Sequence, residues 1–167
     1  MNVKRELTNL DKKALVEILA DLYKKNKQVQ EYLGLYIKPE DEAGLLERYS
    51  AKVRESFYPK RGYTYSLKAG KDAIADFKKL GTSAESLISL MLLYVETGVE
   101  FTNDFGDINE AFYNSLASTF KNALKLARTE GILESFEKRA AHILQQSQNI
   151  GWGFEYDVLD IFFDHYE

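Results

Sequence analysis

Five carboxylates, Glu96, Glu100, Asp104, Asp107 and Glu110, fall within one short stretch of the chain, and oxygen ligands at that density are what a hard divalent cation takes. Glu96, Glu100 and Asp104 form the candidate metal set. The spacing is not that of an EF-hand, and Asp107 with Glu110 three residues on also reads as a helix cap and its capping-box partner. No cofactor is predicted beyond this cation. A second group is basic and aromatic: Tyr58-Pro59-Lys60-Arg61-Gly62-Tyr63-Thr64-Tyr65, then Lys68 and Lys71. Cations meet phosphates and tyrosine faces stack on bases, so Lys60, Arg61, Tyr63, Tyr65, Lys68 and Lys71 are candidate ligand-binding residues. The sole tryptophan, in Gly151-Trp152-Gly153-Phe154, joins them. Its indole either plugs the core where a last helix docks, the favoured reading, or walls a pocket facing the acidic segment.

Other chemistry is poorly supplied. Cysteine is absent and there are two histidines, His142 and His165, neither in a spacing that pairs it with another metal ligand. No serine elbow or phosphate-cradling glycine loop occurs. Asp104-Phe105-Gly106 spells a kinase tripeptide without the glycine-rich loop and catalytic aspartate that give it meaning.

The charge is uneven. Residues 52–79 hold eight Lys/Arg against three Asp/Glu, residues 80–167 hold five against fourteen, and residues 1–51 balance at nine each. Two oppositely charged segments, 58–71 and 96–110, either face each other across a groove for a polar ligand or pair directly and fasten two halves together.

The elements that must position these residues are helices. Two prolines and widely spaced glycines leave long runs of helix formers. Asp11 caps a first helix with Leu15, Ile18, Leu19 and Leu22 as its stripe. Asn26 breaks and recaps, and Pro39 separates the second helix from a third that ends at Tyr58-Pro59. Ser66 caps a fourth, closed by Gly81. The fifth, about Ser83 to Thr97, is apolar on nearly every side and belongs at the centre; Gly98 ends it. Asp107 opens a sixth with Phe112, Leu116, Phe120, Leu124 and Ala127 inward. A seventh follows Gly131, and a short last helix from about Glu155 seats Val158, Leu159, Phe162 and Phe163 on the body. The expectation is an all-α single domain over 1–167, an irregular bundle or short α-α superhelix of seven to eight helices. It carries a basic loop at 58–65 and an acidic loop at 98–106.

A chain of 167 residues without cysteine needs no disulfide staple, and its charged start and short apolar runs point to neither a signal peptide nor a membrane span. Cytoplasmic localisation is expected. A helical interaction module or scaffold with a protein partner is the leading functional reading, and enzyme activity is not favoured. The alternatives are a metal-assisted or small-anion-binding enzyme using residues 96–110, and weak nucleic-acid binding through the Tyr-rich loop. Whether the chain self-associates is open.

Several strings are similar to a small bacterial family catalogued as domain of unknown function 6155: Leu10-Asp11-Lys12-Lys13, Leu22-Tyr23-Lys24-Lys25-Asn26, Tyr58-Pro59-Lys60-Arg61-Gly62, Gly98-Val99-Glu100-Phe101-Thr102-Asn103 and Gly151-Trp152-Gly153-Phe154. The resemblance implies a compact helical protein and brings no activity and no catalytic residue.

Overall fold

The computed structural model describes residues 2–62 and 64–166. Every element among them is helical, so the all-α expectation holds. The helices gather into two compact units, Met1–Glu42 and Ala43–Glu167.

In the first unit, α1 (Val3–Thr8) is a short helix that the sequence pattern did not announce. Asp11 caps α2 (Lys12–Lys25), its side chain accepting from the Ala14 amide at 2.7 Å. Asn26 then does two jobs: its N–H closes α2 on the Leu22 carbonyl, and its side chain accepts from the Gln28 and Val29 amides to open α3 (Lys27–Ile37). The two form a hairpin, with the Gln30 side chain donating to the Tyr23 carbonyl at 2.7 Å. A 3-10 turn at Pro39–Asp41 follows. Neither α1, α2 nor α3 contains a buried residue.

The second unit holds α4 (Glu42–Phe57) from its second residue onward, α5 (Leu67–Lys79), α6 (Ala84–Phe105), α7 (Glu110–Thr129), α8 (Glu137–Gln146) and α9 (Phe154–Tyr166). Ser66 caps α5 as expected, accepting from the Ala69 amide. Helix α6 is the axis: eleven of its residues are buried, and it lies against α5, α7 and α8, while α9 rests on α7 and α8. Side chains such as Leu92, Phe112 and Phe120 are fully enclosed, each contributing roughly 1.5–3 kcal/mol.

Two boundaries differ from the sequence reading. The expected loop at 98–106 is helix: α6 runs unbroken through Gly98 and stops at Gly106, where φ is +84° and the N–H reaches the Thr102 carbonyl at 2.7 Å. Gly98 is there for packing. A Cβ at that position would collide with the Leu116 side chain of α7, so the missing methyl is what lets the two helices close. The start of α7 also shifts: Asn109, not Asp107, is the cap, accepting from the Phe112 amide at 3.0 Å.

Candidate functional site

Because α6 continues past Gly98, Glu96, Glu100 and Asp104 sit four residues apart on one helical face, each about 6 Å further along the axis. Helix α8 runs beside them. Between the two lies a cleft of about 520 Å³, lined by these three carboxylates together with Asn103, His142 and Gln146 over an apolar floor of Val99 and Ile143. Arg139 of α8 clamps one end: its Nε and terminal nitrogen donate to the two Glu96 oxygens, both at 2.8 Å, and the terminal nitrogen also reaches the Ser89 carbonyl at 3.2 Å. This planar two-point bond neutralises Glu96 where it is half-buried. Further along, the Asn103 amide donates to the Gln146 carbonyl at 3.3 Å.

Asp104 is engaged from the other side. The Tyr58 hydroxyl donates to it at 2.7 Å. Burial first, then that hydrogen bond and the negative charges of Asp104 and Glu100, hold the Tyr58 phenol above its ordinary range, so it stays a donor. The helical repeat keeps the three candidate metal ligands apart, and among the described residues no three His, Asp or Glu side chains converge on a point that could hold a metal ion. The carboxylate lining gives the cleft the wrong sign for an anion.

The basic segment adjoins the acidic one through rings. Tyr58 packs on Phe101 and Phe105, and Tyr65 packs on Phe101 and Phe112 with centroids 5.4 and 5.3 Å away. The Tyr65 hydroxyl accepts from the Asn109 amide. Both rings are thereby packed against other aromatic side chains, Tyr65 reaching the buried Phe112. Lys60 and Arg61 are exposed, Lys68 pairs with Asp72 on its own helix, and Tyr63 lies outside the described residues. Lys71 turns inward, donating to the Thr119 hydroxyl at 2.9 Å above the Tyr94 ring, and burial pulls its ammonium below the usual lysine range. The two charged segments therefore touch through rings, and among the described residues of 58–65 none lines the α6–α8 cleft, while Pro59 and Thr64 border a depression of about 480 Å³ with Glu55 and Asp72.

Gly151-Trp152-Gly153-Phe154 corrects the favoured reading of the indole. Trp152 is 59% exposed, and the side chain that plugs the core is Phe154, fully buried against Tyr113. The glycine before the indole has a steric reason: a Cβ on Gly151 would strike the Asp107 carboxylate. That carboxylate accepts from the Gly151 N–H at 3.3 Å and from the Tyr113 hydroxyl at 3.1 Å, which in turn accepts from the Ile108 amide. Asp107, expected to cap a helix, instead ties the Gly151 turn to α7. The last helix departs likewise. Val158 is buried as expected and Ile161 with it, but Leu159 and Phe163 face outward beside Tyr156.

The family model described as a family of unknown function (DUF6155) matches residues 1–167. No curated protein and no solved structure matches the chain.

Proposed function

We propose that this chain, which belongs to DUF6155, a family of unknown function, is a helical interaction module whose first unit is completed by another polypeptide. One observation carries the reading. Helices α1 to α3 enclose no side chain, yet Val16, Leu19, Leu22, Tyr32 and Tyr36 stand between 44% and 78% exposed. A unit of about 40 residues is too small to build a sufficient core alone, and apolar faces of this kind mark association surfaces. The occupant we infer is a second copy of the chain. Residues Met1–Glu42 hold eight Lys/Arg and eight Asp/Glu, so two like faces meet without net repulsion, and a hairpin on a hairpin makes a four-helix arrangement. Sedimentation of the full chain over micromolar concentrations should reveal a dimer, and Leu19→Asp with Leu22→Asp should return it to monomer with its helicity largely kept. A chain that stays monomeric at about 100 μM, roughly −5.5 kcal/mol of association, would overturn this occupant. The cytoplasm is the setting that suits a chain without cysteine.

A second reading rests on the α6–α8 cleft, whose volume lies within the range of small-molecule sites. Its carboxylates favour a small cationic ligand, and calorimetric titration with spermidine tests it; absence of saturable heat would set it aside.

A further inference from the structure

Helix α9 buries Phe154, Val158 and Ile161 and turns a second apolar row outward. Tyr156, Leu159 and Phe163 follow one another at three and four residues, one helical face, and are 69%, 36% and 40% exposed. Each is followed directly by an aspartate, Asp157, Asp160 and Asp164. A step of one residue turns about 100° round the helix, so the three carboxylates line a single edge of the apolar row. Among the described residues none of their carboxylates has a cationic partner; Arg128 bonds the backbone carbonyls of Asp164 and His165 instead.

Trp152 lies in the turn at 151–153 that leads directly into α9, and its backbone is in the left-handed region at φ +59°. For a bulky side chain that conformation is costly, and Trp152 nonetheless stays 59% exposed. Strain that the surrounding fold imposes to hold a large aromatic ring in water is the pattern of a recognition group. Tryptophan and tyrosine are also the side chains most often found to dominate binding energy.

We propose that Trp152, Tyr156, Leu159 and Phe163, edged by the three aspartates, form a docking surface for a cationic amphipathic helix of a partner protein. The partner's apolar ridge lies along the ring row and its Lys or Arg side chains meet the carboxylates, which desolvate less unfavourably when so paired. A lipid surface fits poorly, because the acidic edge repels anionic headgroups. This surface is in the second unit and uses none of the residues of the proposed dimer face, so either idea can fail alone.

The sole tryptophan makes the test direct. The full-length chain is titrated with an 18-residue helical probe of leucine and lysine, carrying no aromatic residue, while the Trp152 emission is followed. Saturable binding with a blue shift is expected. A probe of the same length with glutamate in place of lysine, and a scrambled leucine-lysine probe with no apolar face, should both bind at least about tenfold more weakly. Tyr156→Ser with Phe163→Ser should weaken the first probe by about tenfold or more. Asp157→Asn with Asp160→Asn and Asp164→Asn should flatten its salt dependence; these exposed changes leave the buried face of α9 intact, and circular dichroism confirms the fold. Equal binding of all three probes, binding indifferent to both sets of substitutions, or no binding at all would overturn the proposal. So would a blue shift that grows with protein concentration alone, which would assign the row to a second copy.

Discussion

A tryptophan held at φ +59° with its ring mostly in water costs stability that a glycine would not, by about 1–2 kcal/mol for a side chain in that region. Trp152→Gly should therefore raise the urea midpoint, by an amount worth about 1 kcal/mol after the extra chain entropy of glycine is subtracted; a lower midpoint would mean that the indole is a structural prop. Tyr166 makes a different kind of contribution. Its hydroxyl donates to the Leu133 carbonyl at 3.0 Å, and burial, with the negative charges of Glu134 and Glu137 behind it, pushes the phenol up to about 12 from 10.0. Since the folded chain keeps this proton more tightly than the unfolded one, the stabilisation is complete below about pH 10 and is lost as pH rises through about 12. Urea unfolding at about pH 9 and about pH 11.5 should show a fall in the parent chain that Tyr166→Phe reduces. An identical fall in the variant would refute the assignment.

At the scale of elements, the closest approach is between α6 and α7 at Gly98. Gly98→Ala adds a methyl that meets the buried Leu116, and overpacking of about 1–3 kcal/mol outweighs the gain in helix propensity of about 1 kcal/mol. Net destabilisation is expected in thermal unfolding, with Leu116→Ala added to the same chain costing less than it does alone, because the smaller side chain removes the clash. This glycine also explains which boundaries could be read from the residues and which could not. Caps at Asp11, Asn26 and Ser66 act within three residues of themselves, so their chemistry is visible in a local string. The stripe Phe112, Leu116, Phe120, Leu124 is equally legible, since a polar opposite face marks its period. Gly98 draws its meaning from a side chain eighteen positions on, and a packing glycine looks locally like a terminating one. Helix α9 fails for another reason: apolar side chains surround most of its circumference, so periodicity does not choose between Val158 with Ile161 and Leu159 with Phe163 as the inner pair. Of the candidate site, the carboxylate row was readable and its placement on a helix was not. Arg139 carried no local signal at all, because Glu96 is 43 positions away.

Across the whole molecule, protection should be distributed as unevenly as burial. The amides of α6 from Leu87 to Val99 are surrounded by packed side chains, whereas α2 and α3 enclose none. Local opening is cheapest where few apolar contacts must be broken, so in dilute solution hydrogen exchange in α2 and α3 should be orders of magnitude faster than in the middle of α6. Comparable rates would show that the first unit is stabilised in some other way. Among the described residues no helix is long and apolar enough to cross a membrane. The docking of α9 on α7 also has a consequence for how the chain is made. Helices α6 and α7 are neighbours in sequence and can pair early, but the part of α7 at Tyr113 that accepts Phe154 must wait for roughly 25 more residues beyond α7, about 1–5 s of ribosomal elongation. During that pause the nascent protein displays an unfinished core, and the window for chaperone capture or for mistaken pairing between neighbouring polypeptides on one message is open until α9 emerges.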